Sequence, residues 1–396
     1  MSGLETEVPV LLLGGRENSL AATRNLGRHG ITVRVSGASA TWGLYSRYCH
    51  EALPVARGRS AREHWQELLI EKPPARLRGS IVLPCNDEAI EFMIDNRAAI
   101  LANFIADDIL PGIHRKLLDK KATLELARSV DVPTPSFWTV NTTEDARAVA
   151  REVTFPVMVK PIHSHKFFRE FKRKLFIIES SREQLIEKAA LSLERGHDIM
   201  IVEMIPGPDA LLSSYYTYLD RNDQHLFHFT KRILRRFPLN RGGACYHETK
   251  WLPETAELGQ RFFTGVGFRG MGNIEFKRDR RDGRLKVIEV NSRFTAAHEL
   301  VVRSGLPIDL MIYSHLSGQT VAPNTTYADG RRMWYPLRDF LAFRELNQRG
   351  ELSLADWLAS IARPGQVLPT YSLRDPWPFV VETMSLFNRL RRRVAG

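Results

Sequence analysis

Gly272-Asn273-Ile274-Glu275-Phe276-Lys277-Arg278-Asp279-Arg280-Arg281-Asp282-Gly283-Arg284-Leu285-Lys286-Val287-Ile288-Glu289-Val290-Asn291-Ser292-Arg293 is the stretch that decides how the chain is read. Two alternating runs flank a polar turn, the pattern of one β-hairpin. With Arg281-Asp282-Gly283 as a three-residue loop and Gly283 in the left-handed position, opposed residues have numbers that sum to 564. Glu275 then faces Glu289 and Asn273 faces Asn291, while Ile274, Phe276, Ile288 and Val290 form a core surface. Two carboxylates directly opposed on a sheet repel each other, so this register calls for a compensating cation. With carboxylate and amide oxygens as ligands, Mg²⁺ fits better than zinc, and Mg²⁺ usually brings substrate phosphates with it. The alternative is a solvated hairpin face in a slightly different register.

Phosphates need cations. Lys160 ends the strand Phe155-Pro156-Val157-Met158-Val159, which fixes its stem, and Lys120 stands beside Asp119 on a helix expected over about 115–129. Taken singly, either is also an ordinary surface lysine. The strand Ile199-Met200-Ile201-Val202-Glu203-Met204-Ile205 runs into the hinge Pro206-Gly207-Pro208. Unpaired backbone groups at such a hinge suit an adenine edge, and Asp209 lies within reach of a ribose hydroxyl.

Further upstream, the apolar run Val10 to Leu13 ends in Gly14-Gly15 before a helix over about 18–29, which closes at Gly30 ahead of a second strand, Ile31 to Val35. A strand Ile81 to Pro84 feeds Cys85-Asn86-Asp87-Glu88 and another helix. The opening region therefore reads as a small parallel α/β domain with Gly14 to Asn18 and Cys85 to Glu88 along one crevice. Gly14-Gly15-Arg16-Glu17-Asn18-Ser19 lacks the later glycines of a dinucleotide fingerprint, which argues against nicotinamide or flavin. Between 142 and 205 a compact α+β unit follows, with Ser181 and Gln184 placed as a helix cap.

In this order the fragments resemble the ATP-grasp superfamily, specifically its carboxylate–amine ligase branch, over roughly residues 8 to 325. The resemblance rests on Leu118-Asp119-Lys120, Phe155 to Pro161, Ile201 to Gly207, Gly272 to Phe276 and Ile288 to Arg293. It implies a Rossmann-like pre-ATP-grasp domain (1–113), an ATP-grasp N-terminal lobe (114–205), a C-terminal lobe with the metal site (206–325) and a C-terminal extension (326–396). The fold class is thus α/β followed by α+β. Lys120 and Lys160 would hold ATP phosphates, the hinge Glu203, Met204 and Ile205 the adenine, and Asp209 the ribose. Glu275, Glu289 and Asn291 would bind Mg²⁺, with Mn²⁺ as a substitute, and Arg293 would lie near the transferred group. Arg232 and Arg235 fit a family segment that contacts phosphate or a substrate carboxylate, plain surface charge being the alternative.

Two departures from the family stand out. The loop over the phosphates is commonly glycine-rich, whereas residues 162–174 contain no glycine and are basic and aromatic. His163 and His165 in it belong either to a site or to the surface. Ser292 stands where the family commonly has proline. The implied chemistry is phosphorylation of a carboxylate by ATP, then displacement of phosphate from the acyl phosphate by an amine. A thiol or bicarbonate-type substrate, or a non-catalytic nucleotide-binding protein docked to an anionic surface, are the rivals.

Composition narrows the partners. The chain has 396 residues, 43% hydrophobic and 26% charged, with formal net charge +11, a balance that suits anionic ligands. No apolar run is long enough to span a membrane, and the acidic N-terminal stretch does not read as a secretory signal, so a cytoplasmic protein is expected. Cys49, Cys85 and Cys245 are scattered and lack disulfide or zinc spacing. Small carboxylate and amine substrates are expected rather than nucleic acid, and a homo-oligomer is compatible with the sequence. Residues 378–393 read as an amphipathic helix with a basic end, either packed on the body or docked on a membrane surface.

Overall fold

The computed structural model describes residues 4–107, 109–162, 167, 170–173, 175–240 and 242–394, with 386–394 as backbone alone. Strands β1 (Val10–Leu13), β2 (Val33–Gly37), β3 (Glu51–Pro54), β4 (Ile81–Pro84) and β5 (Ile105–Ala106) form a parallel sheet ordered β3-β2-β1-β4-β5. All of β1 is buried, as an unbroken apolar run should be when both faces of a sheet are covered. Helices α1 (Glu17–Arg28) and α2 (Asp87–Asp95) begin at the carboxyl edges of β1 and β4, where the strand order reverses. The two loops there interlock. A Cβ on Gly14, at φ +69°, would lie 2.4 Å from the Asn86 side chain.

The helix expected over 115–129 is broken in two. Helices α3 (Pro111–Leu118) and α4 (Lys120–Ser129) meet at Asp119, whose carboxylate accepts the backbone N–H groups of Lys121 and Ala122. A short acid at an N-cap satisfies donors that a continuing helix would not leave free, so the chain turns here. Lys120 consequently opens α4. The boundary expected after residue 113 falls inside α3, whose His114 is buried against Phe268 at 4.9 Å.

An antiparallel sheet ordered β6-β9-β7-β8 follows, from β6 (Phe137–Val140), β7 (Val157–Pro161), β8 (Phe176–Ile178) and β9 (Ile199–Glu203). Helices α5 (Thr143–Glu152) and α6 (Arg182–Glu194) pack on Val157, Val159, Ile199 and Ile201, and Ser181 caps α6 by accepting from Gln184 N at 3.0 Å. His163, His165 and most of the basic loop lie outside the described residues.

The third sheet is ordered β14-β13-β10-β11-β12-β15, with β10 (Leu212–Leu219), β11 (His225–Phe237), β12 (Gly243–Thr249), β13 (Gly270–Arg278), β14 (Leu285–Asn291) and β15 (Arg332–Trp334). Helix α7 (Pro253–Gly265) covers one face through Phe262 and Phe263 against Tyr215 and Ile274. The other face carries Tyr216 and Phe229 into a core shared with Leu12, Val33 and Ile81 of the first sheet. β15 belongs to the stretch expected as an extension, yet it completes this sheet. Helices α8 (Pro336–Gln348), α9 (Leu354–Ile361) and α10 (Trp377–Val394) follow. Arg24 of α1, 1% exposed, donates to the Asp375 carboxylate at 2.8 Å and ties the extension to the first sheet.

The β13–β14 hairpin places Glu275 opposite Glu289 and Asn273 opposite Asn291, as expected, but by another route. Its turn has four residues, 280–283, closed by Asp279 N–H to Arg284 O at 2.9 Å, and a bulge after Glu275 returns the register. The buried Asp279 carboxylate selects the longer turn by accepting from Arg281 and Lys286. One consequence corrects the expected core. Val287 is fully buried where Ile288 was expected, and Ile288 is only half-buried.

Candidate active site

Strand alternation and the bulge together put Glu275, Glu289, Asn273 and Asn291 on one face, which forms a wall of the cleft between the second and third sheets. Solvent reaches Glu289, yet the crowded cleft and then the Glu275 charge push its carboxyl pKa up, against opposing pulls from Lys160 and Arg293. An acid whose charged form is disfavoured by a neighbouring carboxylate marks a site waiting for a cation. The amides are oriented to match. Asn273 donates to the Tyr215 carbonyl at 3.1 Å and accepts from Asn291 Nδ2 at 3.2 Å, so the Asn291 oxygen is the atom left for a ligand. Two carboxylates and one amide oxygen are a hard donor set that suits Mg²⁺. Among the described residues no cluster of three His, Cys, Asp or Glu side chains offers a rival metal site.

Lys160, at the end of β7, comes to this cleft from the opposing sheet. Burial lowers its pKa to about 8, the neighbouring Lys120 adds to the effect, and Glu289 opposes it. Lys160 is thus within electrostatic range of Lys120 and Glu289, and Glu289 of Glu275 and Arg293, although these residues come from α4, β7, β13, β14 and the segment after β14. Two lysines that repel each other across a cleft would both gain from a polyanion placed between them.

Arg293 donates to the Asp87 carboxylate at 2.6 Å, and Asp87 opens α2 at the edge of the first sheet. Asn18, 5% exposed, locks the same junction by donating to the carbonyls of Cys85 at 2.6 Å and Phe294 at 2.7 Å. The crevice of the parallel sheet thus opens onto the carboxylate pair.

At the hinge, the expected free donors are partly taken. Glu203 N bonds Ser136 O and Met204 N bonds Pro156 O, both at 2.9 Å, which leaves Ile205 N–H without a backbone partner among the described residues. The Glu203 carboxylate lies 3.7 Å from Arg281. Asp209 is not open to a ribose as expected. Its carboxylate accepts from Arg236 at 2.7 Å and from Asn240 N at 3.1 Å, because β11 passes directly beside it.

Arg232 and Arg235 are not brought to the carboxylate pair. Arg232 pairs with Glu248, Nε to Oε2 at 2.7 Å, on the face of the sheet opposite Lys231. Arg235 is buried and forks onto Asp339 at 2.6 and 2.9 Å. The residue that does face the site is their neighbour Lys231, which lies opposite Ser214, itself opposite Glu275. Lys231 is 1% exposed, donates to Ser214 Oγ at 3.1 Å, and has its pKa lowered by burial, with Glu275 opposing. Only the strand order could reveal it. Lys277 was also missed: it donates to Gly207 O at 2.7 Å at the hinge, and burial lowers its pKa to about 8.

No family model matches the chain. It is 22% identical over 289 residues to the D-aspartate ligase of Enterococcus faecium (strain Aus0004), spanning 69% of this chain and 68% of that protein. Further curated relatives are spanned over 52%, 21% and 14% of their lengths. Among solved structures, a biotin carboxylase–beta-gamma-ATP complex from Campylobacter jejuni superposes with TM-score 0.63 at 18% identity, covering 83% of this chain and 75% of that one. An L-amino acid ligase from Bacillus licheniformis superposes with TM-score 0.57 at 16% identity, covering 81% and 78%. These structural likenesses are to the ATP-grasp fold.

Proposed function

We propose that this chain, which has the ATP-grasp fold, is an ADP-forming ligase that activates a carboxylate with Mg²⁺-ATP and joins it to an amine. The observation that carries this reading is the Glu275–Glu289 pair with the Asn291 oxygen, facing Lys160 across the cleft. Glu275, Glu289 and Asn291 would hold Mg²⁺, which when bound offsets the phosphate charge. Lys160 and Lys120 would hold the phosphate chain, and Lys231 would face the γ-phosphate from the sheet. The hinge Glu203 to Ile205 would take the adenine, with Ile205 N–H as the available donor. For the ribose, Asp209 would act from within its pair with Arg236. Arg232 and Arg235 are engaged by Glu248 and Asp339 and are assigned a structural role in this reading.

Arg293 is placed to exchange Asp87 for the substrate carboxylate. One oxygen of that carboxylate attacks the γ-phosphorus, the bond to the ADP oxygen breaks, and an acyl phosphate results. The amine nitrogen then attacks the acyl carbon, phosphate leaves, and the nitrogen gives up a proton to the medium. Similarity to D-aspartate ligase supports an organic carboxylate joined to an amine, rather than a thiol acceptor or activation of bicarbonate.

The test is ADP and phosphate release from Mg²⁺-ATP across amino acids and small carboxylates, each with and without candidate amines, with bicarbonate and thiols as controls. Release is expected to need a carboxylate and to rise with an amine. Release driven by bicarbonate alone would replace the organic carboxylate as the group that is activated.

A cytoplasmic setting fits the reading, and no helix among the described residues is long and apolar enough to cross a membrane. Contact with an anionic membrane surface is a second reading, favoured by one observation. Leu373, Trp377 and Met384 are 84%, 57% and 59% exposed just before and along the first half of α10, a helix whose sequence ends in arginines. Co-sedimentation with phosphatidylserine vesicles, lost in a Trp377→Ala and Met384→Ala double variant, is its expected outcome, and equal sedimentation of both proteins would dismiss it.

A further inference from the structure

A cavity of about 710 Å³ lies where the hinge, the end of β11 and the end of α8 meet. Gly207 and Asp209 line it from the hinge, Leu234 and Asn240 from β11 and the loop after it, and Leu346 and Arg349 from the end of α8. None of Lys160, Lys231, Glu275, Lys277 or Glu289 lines it. It is therefore separate from the cleft that faces the carboxylate pair, and shares with that cleft only residues of the hinge.

Its walls are fixed by bonds within the fold. Asp209, 7% exposed, is neutralised by Arg236 at 2.7 Å and also accepts the Asn240 N–H at 3.1 Å. The next residue back, Leu239, donates its N–H to Glu345 Oε2 at 3.3 Å, which joins the loop to α8. These bonds hold the hinge turn, the loop and the helix apart at set positions, so the space between them is part of the native structure.

The polar groups left over are mostly cationic. Arg280, in the β13–β14 turn, also lines the cavity, and a Cβ on Gly207 would come within 3.3 Å of its Cδ. Its side chain is exposed, and among the described residues its guanidinium has no hydrogen bond or ion pair. Arg349 holds only Glu345, at 3.1 Å, a surface pair of the kind that contributes little and is readily exchanged. Arg235 keeps Nη1 outside its fork with Asp339. Glu351, which is exposed, is the one lining acid without an ion pair among the described residues. Leu234, Leu346 and Leu352, all half-buried, supply an apolar surface.

Two guanidinium groups from different elements suit a dianion whose oxygens accept in forks, a phosphate monoester before a single carboxylate. Glu351 and the Asn240 amide suit hydroxyl groups, and the leucines suit an uncharged body. The volume is that of a pocket for a small organic molecule, far more than inorganic phosphate fills.

We propose that this cavity binds a small phosphate ester with a hydroxyl-bearing body, a sugar phosphate or a nucleoside monophosphate, as an effector and not as a substrate. The phosphate sits between Arg280 and Arg349, with Arg235 Nη1 at its side. The effect reaches the nucleotide through the same turn. Arg281, next to Arg280, lies 3.7 Å from Glu203 at the end of β9, and Lys277 donates to Gly207 O at 2.7 Å. An ester that ties Arg280 to the end of α8 restrains this turn and the hinge it grips, and a nucleotide that meets a restrained hinge binds at lower cost. The cavity stands independently of the ligase reading. Its coupling to ATP rests on that reading.

The experiment is isothermal titration of the full-length protein, its nucleotide cleft first filled with Mg²⁺ and a non-hydrolysable ATP analogue. The probes are glucose 6-phosphate, ribose 5-phosphate, AMP and GMP, with inorganic phosphate and glucose as controls. At least one ester is expected to bind, with both controls weaker by at least about 10-fold. Arg280→Ala and Arg349→Ala are each expected to weaken the ester by about 10-fold. Both side chains are exposed, so neither change removes core packing, and an unchanged thermal melt checks this. With the ester present, the affinity of the ATP analogue is expected to rise about threefold, and by linkage the analogue strengthens the ester by the same factor. An ester displaced by the analogue occupies the nucleotide cleft and refutes the separate site. Binding that neither variant moves, or none by any ester at about 10 mM, refutes it as well. Ester binding that leaves the analogue's affinity unchanged refutes the effector role. If the analogue itself fails to bind while an ester binds and both variants weaken it, the ATP reading falls and the cavity stands.

Discussion

Replacing Glu289 by glutamine is expected to lower Mg²⁺-ATP turnover by at least about a thousandfold while leaving the melting temperature unchanged or slightly raised. The two halves have separate causes. Glu289 projects into the cleft with solvent around it and packs against no core, so an isosteric amide leaves no cavity. Its carboxylate is repelled by Glu275 and crowded by the cleft, which is why its pKa is raised. Removing that charge relieves repulsion in the absence of metal. In the presence of metal it removes one of two anionic ligands and leaves the phosphates to be neutralised by Lys120 and Lys160 alone. Steady-state ADP release set beside a thermal melt with and without Mg²⁺ decides the matter. A Glu289→Gln protein with full activity would remove the metal assignment altogether.

Asp339→Ala is expected to do the reverse, costing about 3–5 kcal/mol of stability and leaving the KM for ATP of the folded protein intact. Asp339 is wholly buried. It accepts two bonds from Arg235, one from the Trp334 indole at 3.0 Å and one from the Trp357 indole at 2.9 Å, and the Cys245 thiol lies 3.7 Å away. One carboxylate therefore joins β11, β12, β15, α8 and α9. Truncating it strands a guanidinium that is 7% exposed, and an uncompensated buried charge costs more than the pair itself contributes. Arg235→Met with Asp339→Leu should recover much of the loss, because the pair is then replaced by apolar volume. Urea unfolding of the three proteins measures it. Should Asp339→Ala melt like the parent yet lose ATP turnover, Arg235 would return to the site as a substrate contact.

The contrast between these two variants follows how far each residue could be read from the chain. Period-two alternation along Gly270–Arg278 and Leu285–Asn291 was enough to put Glu275 against Glu289 and Asn273 against Asn291, since the strands are neighbours in sequence and a short turn sets their register. The turn itself was misread by one residue, because the choice between three and four residues was made by the buried Asp279 pairing with Arg281 and Lys286. The bulge that compensates moved Val287 into the core and kept the acids aligned.

Arg232 and Arg235 show where local pattern stops. On one strand, Arg232 and Lys231 point to opposite faces, and nothing within β11 says which face meets the metal. That was decided by the order β14-β13-β10-β11, which sets Lys231 two strands from Glu275. The partner that holds Arg235 is 104 residues away, and Asp87, which holds Arg293, is 206 residues away. Alternation and turn residues act over a few residues, so the parallel opening unit, the opposed carboxylates and the strand that ends near Lys160 were legible in the sequence, while the cap at Asp119 that splits the expected 115–129 helix was missed. Burial and ion pairing act between surfaces that meet only after the chain has closed. Tertiary structure alone therefore decided which carboxylates pair with Arg232 and Arg235, which lysine shares the face of Glu275, and that β15 completes the third sheet.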